Sequence, residues 1–167
     1  GLERAQQFLD QFQVFADQGA LGAALLGAAE GVEGRAAQEL GLANIRISEL
    51  RTAIALGGGS NPSRIWKEMC RAEHNGGNIR LAIEACQKAI ASAPQNRQGQ
   101  LPGDYAELAN LYRELGEFDK ARLVVRDAEG LLLRLSRSKN WEEKHFNWEA
   151  ELEDAIGRIE FSAGRYI

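Results

Sequence analysis

One spacing recurs along this chain and limits what it can fold into. A glycine is followed by an alanine five residues on, an apolar residue four further, and an alanine three after that. It reads Gly77, Ala82, Cys86, Ala89, then Gly116, Ala121, Val125, Ala128, and more faintly Gly31, Ala36, Leu40, Ala43. Glycine frees the backbone for a tight turn. Alanine marks where one helix presses closest on another, so that a larger side chain does not fit. The pattern predicts antiparallel helix pairs stacked side by side.

The segment from Tyr105 to Leu135 states the unit most fully. Tyr105, Leu108, Ala109 and Tyr112 share one helical face. Phe118, Ala121, Val125, Ala128 and Leu132 share the face of the next helix. Neither helix buries its stripe alone, so the pair requires neighbours of its own kind. Trp66 precedes Ala82 by the same interval that separates Tyr105 from Ala121, and Pro94 closes that earlier unit.

These residues resemble the tetratricopeptide repeat, whose signature runs W-x2-L-G-x2-Y, A-x3-F, P. Tyr105, Leu108, Ala109, Tyr112, Ala121 and Val125 stand at six signature positions. The chain departs from the signature with Glu73 in place of Tyr, and with Cys86 and Val125 in place of Phe. The interval from Ala82 to Ala121 exceeds the family's roughly 34 residues, and the polar Gln95–Gln100 segment, read as a loop, takes up the excess. The resemblance implies an all-α, right-handed α-helical repeat solenoid of about eight helices. It forms a single domain over 1–167, with strong repeats at about 62–94 and 102–135, a degenerate repeat at about 17–48, and a capping helix at about 141–161.

The helices follow from periodicity. Leu2 to Gln18 carries Phe8, Phe12 and Phe15 on one side. Leu21 to Glu30 is rich in small residues. Arg35 to Leu56 places Ala36, Leu40, Ala43, Ile47, Leu50 and Ile54 inward. Ser60-Asn61-Pro62 supplies caps for a helix over Ser63–His74, and a further helix follows from Ile79 to Ala93. The last helix lines up Trp141, His145, Trp148, Leu152, Ile156 and Ile159. Trp141 and Trp148 are expected to pack on the Phe118 helix, over Val124 and Leu131.

Composition supports helices. Ala, Leu, Glu, Arg and Gln abound, while Thr occurs once, at Thr52. The net charge of −4 offers no basic field for nucleic acid. No apolar run approaches the roughly 20 residues of a membrane span, so neither nucleic acid nor membrane is an expected partner. Cys70 and Cys86 fall on apolar helix faces and are expected as buried free thiols, with a disulfide between paired helices as the competing reading. Metal binding is disfavoured because no CxxC or His spacing exists, and no cofactor is implied. Free thiols read as a reducing, cytoplasmic compartment. The start at Gly1 reads as that of an excised piece.

No catalytic constellation stands out: there is no P-loop and no G-x-G-x-x-G, and Gly57-Gly58-Gly59 follows a helix. The chain is therefore not expected to be an enzyme. The family resemblance implies a non-catalytic protein-interaction module, with first helices of successive pairs lining a concave groove for a peptide. Arg64, Lys67, Arg71 and His74 form a basic stripe on the Ser63–His74 helix, where Arg64 can also pair with Glu68. Asn110 and Arg113 continue the line on the next first helix, with Ala106, while Leu21, Leu25 and Ala28 make an apolar end. The expected partner is a protein or peptide, held by an acidic or C-terminal segment. A chaperone-tail clamp is disfavoured, because Arg71 and Glu107 replace the asparagines it needs. A helical homo-oligomerisation or structural domain is the competing function, and the chain is expected as a monomer or weak homo-oligomer.

Overall fold

The computed structural model describes residues 32–57, 59, 61–138 and 147–165. The expected helices over Leu2–Gln18 and Leu21–Glu30, with the apolar groove end at Leu21, Leu25 and Ala28, lie outside the described residues. So do Trp141 and His145. Among the described residues there are six α-helices, one 3-10 helix and no strand. The helices are α1 (Val32–Ala55), α2 (Pro62–Asn75), α3 (Ile79–Ala91), α4 (Leu101–Glu114), α5 (Phe118–Ser136) and α6 (Trp148–Ser162). None of them is long and apolar enough to cross a membrane.

Two helix pairs, α2–α3 and α4–α5, are built on the same turn. In the first, the amides of Gly76, Gly77 and Asn78 donate to the carbonyls of Ala72, His74 and Glu73 at 2.9, 3.0 and 2.8 Å. In the second, Leu115, Gly116 and Glu117 donate to Leu111, Arg113 and Tyr112 at 3.2, 2.9 and 2.9 Å. Gly77 and Gly116 have φ of 79° and 75°, where a Cβ is strained. These bonds satisfy carbonyls that each first helix otherwise leaves open.

Beyond each turn the second helix folds back on the first. Ala82 and Ala121 are both completely buried, as the spacing predicts, and so are Ala109 and Ala128. One core cluster joins α1, α2, α3 and α4 through Ile47, Leu50, Met69, Ala82, Ile83 and Leu111. A second joins α4, α5 and α6 through Ala109, Ala121, Val125, Leu152 and Ile159. The helix α4 belongs to both, so it links the two pairs.

Three expectations change. Cys70 and Cys86 are not free thiols: they form a disulfide across the α2–α3 seam, with a Cα–Cα distance of 5.2 Å. Helix pairing brings their side chains onto one another, which periodicity along a single helix does not reveal. Leu40 faces outward, 45% exposed. The backbone at Gly76, just past the end of α2, lies against Ile47, so the part of α1 before Ala43 runs beyond the helix it packs on. Gln95–Gln100 is a 3-10 helix that leads directly into α4. Its entry is set by Pro94, whose φ is −70°.

A further finding concerns Trp148. It opens α6, and its indole lies against Gly103 in the first turn of α4. Its Nε1 donates to the Gly99 carbonyl at 3.0 Å. This buried ring therefore meets the N-terminal end of α4, a contact that the sequence did not indicate. An indole needs a partner for its N–H, and the 3-10 helix offers an open carbonyl.

Candidate functional site

Periodicity places Arg64, Lys67, Arg71 and His74 on one side of α2, and the fold sets α4 beside them. The result is a row of paired charges. The Lys67 ammonium contacts the carboxylate of Asp104, a buried residue in the first turn of α4. At the far end, His74 Nε2 lies 3.0 and 3.1 Å from the two carboxylate oxygens of Glu114. Arg71 Nη1 donates to Glu68 Oε1 at 3.5 Å, and Arg46 of α1 reaches the same carboxylate at 3.7 Å. Glu68 is thus engaged by Arg71 and Arg46, and Arg64 makes no ion pair among the described residues.

Glu107 occupies the middle of this row on α4. It is half-buried, and loss of water raises its pKa above the ordinary carboxylate value. Arg71, Lys67 and His74 pull it down, while Asp104 pushes it up, and burial prevails. It makes no hydrogen bond or ion pair among the described residues. Its carboxylate lies within 4.8 Å of both sulfur atoms of the Cys70–Cys86 disulfide.

Asn110 and Arg113 come together one turn apart on α4. Arg113 Nε and Nη2 donate to Asn110 Oδ1 at 2.9 and 2.7 Å. Arg113 Nη1 reaches across to Ser162 Oγ of α6 at 3.1 Å. Asn110 Nδ2 donates to Glu114 at 3.1 Å, which ties this group to His74. Between α4 and α6 a pocket of about 360 Å³ remains open. Ala106, Asn110 and Arg113 line one wall, and Glu151, Asp154 and Arg158 the other. Arg158 Nε is held by Asp154 at 2.8 Å.

The six residues singled out from sequence therefore divide. Lys67, Arg71 and His74 belong to a row neutralised by acids within the chain. Asn110 and Arg113 line the open pocket. Arg64 joins neither. The acidic partners Asp104 and Glu114 were missed, although their place on the helix α4 was available as a signal. A second pocket, of about 200 Å³, was also missed. Trp66, Met69, Ile54 and Leu81 contribute to it, and the Lys88 ammonium sits 4.4 Å above the Trp66 ring. No protein-family model, curated protein or solved structure matches the chain.

Proposed function

We propose that this chain is a non-catalytic protein-interaction module, a tetratricopeptide-like helical stack that holds a peptide segment of a partner protein. The observation that carries the reading is the open pocket between α4 and α6, on the side of α4 that carries Asn110 and Arg113. Its walls offer carboxylates, guanidinium groups and an amide, which suit the alternating donors and acceptors of an extended peptide. Repetition of the α2–α3 turn in α4–α5 supports the stacked-pair scaffold on which that pocket rests.

The pairing within the row refines the partner. Lys67, Arg71 and His74 are each already engaged by an acid of the chain, Asp104, Glu68 and Glu114. An acidic or C-terminal segment must then displace those carboxylates or use Arg113 and Arg158. The pocket, rather than the basic stripe, is where a segment gains contacts without breaking the row.

Ala106→Trp tests this reading, because it fills the pocket and leaves every charge in place. An immobilised peptide library is probed with wild type and with the variant, each checked for helicity. The expected result is loss of the peptides that wild type retains. A folded variant that keeps all of them at equal affinity overturns the assignment.

A further inference from the structure

The disulfide and Glu107 meet where three helices converge. Cys70 comes from α2, Cys86 from α3 and Glu107 from α4. Their sulfur and oxygen atoms all lie within 4.8 Å of one another. Both cysteines are buried in the apolar core, and Glu107 is only partly buried. The neighbouring cations are occupied, Lys67 by Asp104 and Arg71 by Glu68. Glu107 thus faces the two sulfur atoms with no ion-pair partner of its own among the described residues.

We propose that Cys70, Cys86 and Glu107 form a redox-gated site for a thiophilic divalent cation, with Zn²⁺ as the fitting ion. In the oxidised chain the two sulfurs are bonded to each other and the site is closed. A dithiol reductant opens it: two electrons cleave the S–S bond, two protons complete the thiols, and the dithiol leaves as its own disulfide. Zn²⁺ then displaces both thiol protons to solvent and binds two thiolates, with the Glu107 carboxylate as third ligand and water as fourth. Zinc–sulfur and zinc–oxygen bonds of about 2.3 and 2.0–2.2 Å require ligand atoms somewhat under 4 Å apart. The three ligand atoms lie within 4.8 Å of one another, and after reduction the site requires the two sulfur atoms, now bonded, to part to that spacing. Thiolates favour zinc over the harder divalent ions.

The two states differ mechanically. The disulfide joins α2 to α3 alone, within one pair. A metal bound also through Glu107 would bind that pair to α4, and hence to the next pair.

The experiment uses the full chain, metal-free, either oxidised or reduced with dithiothreitol and desalted anaerobically. Zn²⁺ is titrated by calorimetry, Co²⁺ is added as a spectroscopic substitute, and circular dichroism follows helicity. The reduced chain should bind one Zn²⁺, and its Co²⁺ form should show a thiolate charge-transfer band. The oxidised chain and Cys70→Ser/Cys86→Ser should show neither. Glu107→Gln should bind at least about tenfold more weakly, the lower end of what losing even an outer-shell group costs. If reduction unfolds the chain, recovery of helicity on adding Zn²⁺ supports the site. Failure of the reduced chain to bind or refold with Zn²⁺ overturns it. Equal affinity in Glu107→Gln also overturns it, leaving a structural disulfide only.

Discussion

The pairs α2–α3 and α4–α5 share a turn and a set of buried alanines, yet hold their seams together differently. Cys70 and Cys86 of the first pair stand at the register of Ala109 and Val125 in the second. One seam is covalently closed, and the other is closed by packing of buried small side chains. Where the first pair has Glu73, buried and bonded by Asn78 at 2.8 Å and Arg51 at 3.5 Å, the second has Tyr112, whose hydroxyl accepts from Gln87 at 3.1 Å. Where the first buries Ile83, the second carries Arg122, which clasps Glu160 of α6 at 2.5 and 3.2 Å. The turn and the alanines set how a pair folds. What fills the seam is interchangeable so long as volume and polarity are satisfied.

The sharpest way to break this comparison is to give the first pair the second pair's seam. Cys70→Ala/Cys86→Val removes a cross-link spanning 16 residues. The expected loss is about 2–4 kcal/mol, the usual contribution of a disulfide, measured by urea denaturation under non-reducing conditions. A variant as stable as wild type would show that the bond contributes nothing beyond packing.

Alanine at the crossing is the feature both pairs share, so enlarging it should harm both. Ala82→Leu and Ala121→Leu should each lower stability by roughly 1–3 kcal/mol through overpacking. An unchanged melting midpoint for Ala121→Leu would remove the close crossing from the account of that pair. A smaller effect is expected at the turns. Gly77→Ala and Gly116→Ala force a Cβ into the left-handed region, at a cost of about 1–2 kcal/mol. The two losses should match, because the two turns do; a clear difference in denaturation midpoint would separate them.

The smallest expected effect distinguishes the outer tether of the second pair. The hydrogen bond from Arg122 holds the Glu160 carboxylate below its usual pKa. A group with a depressed pKa in the fold stabilises above its unfolded value, and that contribution is lost as pH falls through the folded one. Arg122→Ile, which copies Ile83 of the first pair, should flatten the acid limb of melting midpoint against pH. An acid limb identical to wild type would make the clasp an exposed pair of no consequence.

Much of this frame was readable in the residues themselves. Gly77 and Gly116 announced the turns, and Ala82 and Ala121 the crossings, because turn geometry and close packing restrict residue type severely. The interactions between helices were not readable. The Cys70–Cys86 bond, the Lys67–Asp104 contact and the His74–Glu114 pair all depend on how helices distant in sequence are set side by side. Sequence periodicity gives the face of a residue and not what stands opposite it. Asn110 and Arg113 were placed on the open side because their helix has a clear inner stripe. The wall supplied by Glu151 and Asp154 depends on where α6 settles, and that in turn depends on Trp148.

The seat of Trp148 gives one hydrogen atom unusual leverage. A Cβ on residue 103 would fall 2.7 Å from two carbons of the indole, closer than such atoms approach. Gly103 tolerates the helix-propensity penalty of glycine and in return lets α6 begin close against α4. The spacing between these helices is therefore set in part outside the pocket, where Trp148 meets Gly103. A residue that lines none of the pocket thus bears on its walls: a side chain at 103 requires the Trp148 indole to shift, and α6, which carries Asp154, starts at that ring.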